Sequence, residues 1–223
     1  MKKVGIVART GSFWDRSAMY MFENYRLICF ENNCLPFMIL PPQLKDYYKT
    51  SGQDIGHLND NEKEYLKNII DECDGIIIPG GDRWYDYDQF IYKYAYSQNK
   101  AILGICMGMQ VMVSCDNGLK PILNDNDNHY KKKVDYAHKV KIDKNSKLYQ
   151  IIGKEEIEVN SYHNYHIEKT NNLQETAYSE DGYIEAVEDP NKKFVIGIQW
   201  HPEIMYDYDL DNKKIIKAFI DAL

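Results

Sequence analysis

The chain has 223 residues, 44% of them hydrophobic, and its formal net charge at neutral pH is −7. This composition suffices for a sizeable buried core, and it lacks the basic surface that binds nucleic acid. No segment approaches the roughly 20 apolar residues that cross a bilayer, and the apolar run after Lys3 is too short for a signal peptide, so a membrane is not an expected partner.

Short apolar runs alternate with helical patterns in the first half of the chain. Strands are predicted at residues 3–8, 35–40, 75–79 and 101–105. One helix is predicted to be capped by Ser17, with Ala18, Phe22, Tyr25 and Cys29 at helical spacing. The next is capped at Asn59 or Asp60, and its expected buried stripe is Tyr65, Leu66, Ile69, Ile70 and Cys73. Further helices are predicted at residues 87–98 and from Met107 onward.

The pattern changes after Gly118. The basic run at residues 131–133 is typical of a solvated turn. Strands are predicted at residues 136–142, 156–159, 183–188 and 194–199 with little helix between them, which favours antiparallel additions to the sheet. A final helix places Ile215, Ile216, Phe219, Ile220 and Leu223 on one face. Together these elements predict an α/β fold of three layers, with a mostly parallel central sheet and helices on both faces, in a single domain over residues 1–223.

The five cysteines are odd in number and share no metal-ligand spacing, which favours a reducing, cytoplasmic location. Four of them lie on or beside apolar faces and are expected in the core: Cys29, Cys34, Cys73 and Cys115.

The fifth, Cys106, stands in a different context. Residues 104–110 read Gly-Ile-Cys-Met-Gly-Met-Gln and join an apolar strand to a helix. This is the nucleophile elbow arrangement, with cysteine in place of serine. Small residues flank the nucleophile because the turn is tight, the helix N-terminus favours a thiolate, and the Met107 N–H is expected to point at a developing oxyanion.

A second glycine-rich turn, Pro-Gly-Gly-Asp at residues 79–82, also follows an apolar strand. The carboxyl ends of parallel strands share one edge of a sheet. This turn is therefore predicted to meet the elbow and to supply a second oxyanion donor from Gly80 or Gly81.

A base for the thiol is predicted in residues 197–203, Gly-Ile-Gln-Trp-His-Pro-Glu. His201 follows a buried strand, and Glu203 comes two residues later. A carboxylate at that position can bind one imidazole nitrogen and leave the other facing Cys106. Cys106, His201 and Glu203 are thus the predicted catalytic triad.

With these motifs in place, the chain resembles the class I glutamine amidotransferase superfamily from its first strand to its last helix, which implies a flavodoxin-like fold. It is most similar to the γ-glutamyl hydrolase branch, which includes γ-glutamyl-GABA hydrolases. The resemblance is carried by residues 79–82, 104–110, 159–163 (Val-Asn-Ser-Tyr-His) and 197–203. Two departures concern the substrate: Met107 stands where the branch often has arginine, and Tyr165 where it commonly has glutamine.

The resemblance implies an enzyme that hydrolyses the γ-glutamyl amide bond of a small compound through a γ-glutamyl thioester on Cys106, releasing glutamate and an amine. It implies that the pocket is lined by Gln110, Asn160, Ser161, Tyr162 and His163. No cofactor is expected. A zinc site from His163 and His166 is not expected either, because no further ligands are apparent in the sequence. A homodimer is left open.

Three alternatives remain at this stage. The chain could be the glutaminase subunit of an amidotransferase that passes ammonia to a partner synthase. Residues 160–165 also resemble a hydrolase of a γ-glutamyl nucleotide phosphoramidate. A catalytically inactive binding relative is the third alternative, and the intact triad argues against it.

The nature of the leaving group is a separate hypothesis. Acidic and aromatic residues alternate in residues 82–88 and 206–209, which follow the two catalytic motifs. If both segments form the rim of the site, they suit a cationic leaving amine. Arg83 supports the opposite interpretation, since its guanidinium could bind a carboxylate or a phosphate.

Overall fold

We describe a computed structural model of the protein over residues 1–50, 52–125, 129–131 and 134–223. Lys132 and Lys133 of the basic run lie outside the described residues. The strands are β1 Lys2–Val7, β2 Arg9–Phe13, β3 Arg16–Tyr20, β4 Cys34–Ile39, β5 Gly75–Ile78, β6 Ala101–Ile105, β7 Ile122–Leu123, β8 His138–Ile142, β9 Glu156–Val159, β10 Tyr165–His166, β11 Gln174–Ser179, β12 Ile184–Glu188 and β13 Val195–Ile198. The helices are α1 Glu23–Glu31, α2 Gly52–Ile55, α3 Asp60–Asp71, α4 Asp86–Ser97, α5 Met107–Asn117, α6 Lys147–Ile152, α7 Pro202–Met205 and α8 Leu210–Asp221.

Within the described residues, the central sheet has nine strands in the order β4-β1-β5-β6-β13-β12-β11-β8-β9. The first five strands are parallel, and each strand from β12 onward runs antiparallel to its neighbour. The parallel strands β5, β6 and β13 at the centre of the sheet are buried on both faces, which explains their unbroken apolar sequence. The predicted α/β sheet is confirmed as a large mixed sheet, with β8, β9 and β12 as the expected antiparallel additions. Strand β13 was expected among these additions, but it pairs in parallel with β6.

Two apolar layers cover the sheet. Helices α1, α6 and α8 pack on one face through side chains such as Tyr25, Leu148 and Phe219. Helices α3, α4 and α5 pack on the other through Leu66, Ile91 and other buried residues. The α/β layering predicted from the strand and helix alternation is therefore present. None of the helices in the described ranges combines the length and the apolar character needed to span a bilayer.

The prediction of a helix capped by Ser17 was wrong. The segment is a β-hairpin in which Phe13 pairs with Arg16, leaving Trp14 and Asp15 as a two-residue turn. Both turn residues have positive φ, 50° and 60°, as tight hairpins require. The usual Asn-Gly signal for such a turn is absent, so the helical spacing of the apolar residues misled the prediction. Helix α1 begins only at Glu23.

The other differences concern exposure and short elements. Of the two predicted cap residues, Asn59 caps α3, and it forms a reciprocal capping box with Glu62. Leu66, Ile70 and Cys73 of its stripe are buried, but the side chains of Tyr65 and Ile69 are exposed.

Helix α6 and strand β11 lie in a part of the sequence for which no element was predicted, because both are short and only partly apolar. Cys29, Cys34 and Cys73 are buried free thiols, and Cys115 is half-buried.

Candidate active site

Cys106 occupies the turn between β6 and α5 with φ 53° and ψ −108°, a conformation that side-chain-bearing residues rarely adopt. Close packing explains the flanking glycines. A Cβ on Gly108 would lie 1.9 Å from the carbonyl oxygen of Ile78, and one on Gly104 would lie 2.9 Å from the carbonyl carbon of Gly108. The backbone N–H of Cys106 donates to Ile198 at 2.7 Å, which ties the elbow to β13. The strained elbow predicted from the sequence is present.

His201 lies just after β13 and is the N-cap of α7. Its Nδ1 lies 2.8 Å from Oε1 of Glu203. The His201 ring and Cys106 meet at the same turn, because a Cβ on Gly80 would lie 2.7 Å from Cε1 of His201 and 3.4 Å from Cβ of Cys106. Glu203 is buried, and the same Oε1 accepts a hydrogen bond from the hydroxyl of Tyr25 at 3.1 Å. The structure therefore brings the three predicted residues together and adds Tyr25, which the sequence did not single out.

The charges around His201 determine its protonation. Burial lowers the pKa of His201, but the negative charges of Glu203 and Cys106 outweigh it and raise the pKa well above the ordinary value of 6.5. Burial, followed by the charge of Glu203, raises the pKa of Tyr25, so its hydroxyl remains a neutral donor. This arrangement favours the protonated, imidazolium form of His201 in the folded protein.

Two predicted pocket residues instead support the backbone. Oδ1 of Asn160 accepts from the N–H of His201 at 2.9 Å, and its Nδ2 donates to the carbonyl of His201 at 3.0 Å. The hydroxyl of Ser161 donates to the carbonyl of His129 at 2.7 Å. Both side chains are fully buried, and neither residue lines the cavity at Cys106. Their observed hydrogen bonds therefore give them a supporting role, and contact with the substrate stays a prediction.

The cavity has a volume of about 520 Å³. The predicted site residues that line it are Gly81, Cys106, Met107, Gln110, Tyr162 and His163. Gly80 is adjacent, since a Cβ there would lie 3.4 Å from the Cβ of Cys106. The side-chain amide of Gln110 donates to the carbonyl of Tyr165 at 3.0 Å and to Gln199 at 3.2 Å. One nitrogen of the His163 ring is also occupied, because its Nδ1 is hydrogen-bonded to the carbonyl of Tyr165.

The charged residues of the cavity wall are Asp82, Arg83 and Lys120, and its aromatic residues are Trp84, Tyr130, Tyr162 and Tyr165. The acidic rim expected for a cationic amine is not formed. Asp88 is fully buried against Arg9, and Asp209 caps α8. No residue of the 206–209 segment lines the cavity. The hypothesis of a rim built from both acidic segments was therefore wrong, because one of these carboxylates pairs with a buried guanidinium and the other caps a helix.

The glycine turn is held by Arg9, which the sequence analysis did not single out. Its guanidinium donates to the carbonyl of Pro79 at 2.7 Å and to that of Gly80 at 3.1 Å, and it pairs with Asp88 at 2.5 Å. In a trans peptide the C=O and the following N–H point in opposite directions. By holding both carbonyls, Arg9 directs the N–H groups of Gly80 and Gly81 away from itself. A basic residue directly after a buried strand was the available signal.

An elbow cysteine, a carboxylate-bound histidine and a glycine turn at the edge of this α/β sheet define a class I glutamine amidotransferase-like protein. The comparisons agree with that class. Residues 85–203, more than half of the chain, match the model of the peptidase C26 family. The chain belongs to that family, whose class indicates hydrolase activity.

Three proteins show what the chain resembles in sequence and in fold. A Schizosaccharomyces pombe protein named for glutamine amidotransferases is 31% identical, over 82% of this chain and 71% of its own length. The CTP synthase of Thermotoga maritima is also 31% identical, over 66% of this chain, but the chain spans only 35% of that enzyme. Among solved structures, the glutaminase domain of Trypanosoma brucei CTPS with bound acivicin has a TM-score of 0.65 at 18% identity, covering 100% of this chain and 93% of that domain, which supports the fold.

Proposed function

We propose that the protein hydrolyses the γ-glutamyl amide bond of a small compound through a γ-glutamyl thioester on Cys106, releasing glutamate and an amine. The observation that carries the proposal is the chain of side chains at the Gly80 turn: Cys106, then His201, then the buried carboxylate of Glu203, whose Oε1 lies 2.8 Å from Nδ1 of His201. Such a chain supplies a nucleophile, a base and a group that orients the base.

The proposed reaction has two halves. His201 takes the thiol proton, the sulfur attacks the amide carbonyl, and the oxyanion receives hydrogen bonds from the Met107 N–H and from Gly80 or Gly81. His201 then gives its proton to the leaving amine. In the second half His201 takes a proton from water, the water attacks the thioester, and glutamate leaves as the thiol is restored. In each half, the imidazole of His201 accepts one proton and then donates it, so the protons balance.

The wall of the cavity supports an anionic leaving group. Lys120 and Arg83 contribute two positive charges against the single carboxylate of Asp82. A carboxylate or phosphate on the leaving amine would pair with these cations, and the aromatic residues Trp84 and Tyr130 would pack against its apolar or planar part. A leaving group that bears a phosphate and a base, as in a γ-glutamyl nucleotide phosphoramidate, therefore fits the same wall as a γ-glutamyl amino acid.

A glutaminase that feeds a partner synthase is the second candidate. It is favoured by the similarity to a CTP synthase and by the fold shared with a CTPS glutaminase domain. The two candidates differ in what the isolated chain does. A stand-alone hydrolase cleaves γ-glutamyl-GABA or γ-glutamyl-glutamate rapidly without a partner, whereas a synthase subunit acts on glutamine and is nearly idle alone.

The deciding experiment compares kcat/KM of the isolated chain for glutamine, γ-glutamyl-putrescine, γ-glutamyl-GABA, γ-glutamyl-glutamate and a γ-glutamyl nucleotide phosphoramidate. We expect the anionic leaving groups to be preferred, and Lys120→Gln to reduce that preference mainly through KM. The matched control is Lys144→Gln, since Lys144 forms a surface ion pair with Glu155. A preference for the putrescine amide would overturn the anionic assignment, and slow cleavage of everything except glutamine would favour the synthase subunit.

A further inference from the structure

Three histidines and one glutamate converge beside the cavity. Nδ1 of His129, Nε2 of His138 and Nε2 of His163 lie 3.4, 3.6 and 3.5 Å from Oε1 of Glu185. The four ligand atoms all lie within 4.8 Å of one another. The side chain of Glu185 is fully buried, and none of the three imidazoles is more than 10% exposed.

The outer nitrogen of each imidazole is held by an acceptor. Nε2 of His129 lies 3.0 Å from the carboxylate of Asp181. The Nδ1 atoms of His138 and His163 lie 3.2 and 3.0 Å from the carbonyls of Lys139 and Tyr165. A carbonyl or carboxylate accepts only, so the outer nitrogens carry the protons and the inner ones present lone pairs when the rings are neutral. Metal-binding histidines are oriented in this way.

The inner atoms make no hydrogen bond to the described part of the protein. Within the described part of the chain, no hydrogen bond is made by the three inner nitrogens or by either carboxylate oxygen of Glu185. Buried polar atoms are almost always paired, and four converging acceptors repel one another unless a cation lies between them.

The spacing favours a metal ion over shared protons. Charge-assisted hydrogen bonds from imidazolium to carboxylate would be about 2.7–2.9 Å long. The observed separations of 3.4–3.6 Å are longer. They are close to the edge of a coordination tetrahedron, which is about 3.3–3.6 Å when each ligand lies 2.0–2.2 Å from zinc. The wider separations within the set, up to 4.8 Å, would have to contract around a bound ion.

We propose that His129, His138, His163 and Glu185 bind one divalent transition metal ion, with zinc as the best fit. Imidazole nitrogen and carboxylate oxygen are zinc ligands, and four protein ligands make a closed, structural site. The sequence predicted no metal because only His163 and His166 stood out. His166 is not part of the set, because its ring stacks on Tyr183 and its Nδ1 faces Asn124.

The position of this site couples it to the cavity wall. The carbonyl of His129 accepts hydrogen bonds from the hydroxyl of Ser161 and from the N–H of His163. The next residue, Tyr130, pairs with Tyr162, and both line the cavity. A bound ion would thus join β8 and β12 of the sheet to the two loops that form this wall. Metal binding at these four residues does not require that the proposed hydrolase reaction be correct.

The test begins with the Cys106→Ala protein, which removes the catalytic thiol as a competing ligand. After chelator treatment it is titrated with Zn²⁺ by calorimetry, and separately loaded with Co²⁺ for absorption spectroscopy. We expect one equivalent of zinc, a higher Tm in its presence, and the intense visible bands of tetrahedral Co²⁺ without a thiolate charge-transfer band. In the same background, Glu185→Gln and His138→Gln should no longer bind the one equivalent of zinc. The control variant His166→Gln should still bind it.

Folding of each variant is checked by circular dichroism. If Glu185→Gln or His138→Gln fails to fold, the stoichiometry and the Co²⁺ spectrum of the Cys106→Ala protein decide the question. A folded Cys106→Ala protein that binds no stoichiometric zinc, or gives only the weak spectrum of octahedral Co²⁺, would overturn the proposal. The proposal would also be overturned if the folded Glu185→Gln and His138→Gln proteins both bound zinc as tightly as the Cys106→Ala protein does.

Discussion

Asn160 and His201 hold each other by two hydrogen bonds, from the His201 N–H to Oδ1 of Asn160 and from Nδ2 of Asn160 to the His201 carbonyl. An asparagine side chain in a loop after β9 thereby sets the backbone of the proposed catalytic base, 41 residues further along the chain. The amide serves both bonds with two separate atoms, whereas a carboxylate has no donor and an ammonium group has no acceptor.

The first prediction concerns this clamp. Asn160→Ala should lower kcat by about 10- to 100-fold, because two bonds of about 0.5–1.5 kcal/mol each no longer position His201. KM should change little, and Asn160→Asp, which keeps the acceptor alone, should be intermediate. Steady-state kinetics on a γ-glutamyl amide measure both parameters. An Asn160→Ala protein with raised KM and normal kcat would instead place Asn160 in substrate binding.

The second prediction concerns the nucleophile. Cys106→Ala and Cys106→Ser should lose several orders of magnitude in kcat with the fold intact, because no other thiol lies at the elbow. Cys115→Ala is the matched control, since its half-buried thiol lies at the far end of the same helix. Iodoacetamide should label the wild type and the control at Cys106, and label neither Cys106 variant there. Retention of about a tenth of the wild-type activity by Cys106→Ala would contradict the assignment.

The third prediction concerns the base and its pH dependence. His201→Ala should be nearly as damaging as Cys106→Ala, and Glu203→Gln less so. Glu203→Gln removes a negative charge that raises the pKa of His201, so the alkaline limb of the kcat profile should move to lower pH. A full pH–rate profile of each variant measures this shift. An active His201→Ala protein, or an unmoved limb in Glu203→Gln, would count against the triad.

The same pKa shift has a consequence for stability, and its sign follows from linkage. The folded-state pKa of His201 is raised above 6.5, so protonation of His201 stabilises the fold fully below that pH. This contribution is lost as the pH rises through the raised pKa. Denaturant unfolding at several pH values measures the effect. The free energy of unfolding lost in Glu203→Gln should be largest at and below pH 6.5 and smaller above the raised pKa.

The fourth prediction contrasts two glycines. A Cβ on Gly80 would lie 2.7 Å from Cε1 of His201, so Gly80→Ala should displace the imidazole and lower kcat with a small effect on stability. A Cβ on Gly108 would overlap the backbone carbonyl of Ile78 at 1.9 Å, so Gly108→Ala should destabilise the fold by about 1–3 kcal/mol or more. Thermal unfolding and kinetics separate the two effects. Equal losses of Tm in both variants would contradict the contrast.

The motifs that carry the site could be predicted from the sequence because their constraints are local. The elbow needs glycines beside Cys106 for reasons of packing within a few residues, and His201 and Glu203 share one short turn. The parallel strands could be predicted because burial on both faces requires continuous apolar residues. The hairpin before α1 could not, because its two positive-φ turn residues, Trp14 and Asp15, are not the ones that favour such a turn.

The roles of the polar residues were decided by tertiary structure alone. Asn160, which the motif placed in the pocket, bonds to the backbone of His201, and Arg9 lies 71 residues before the carbonyl of Gly80 that it holds. Glu185 meets three histidines from three other parts of the chain. A buried polar group takes whichever partner the folded chain brings within about 3 Å, and the sequence carries no signal of that distance.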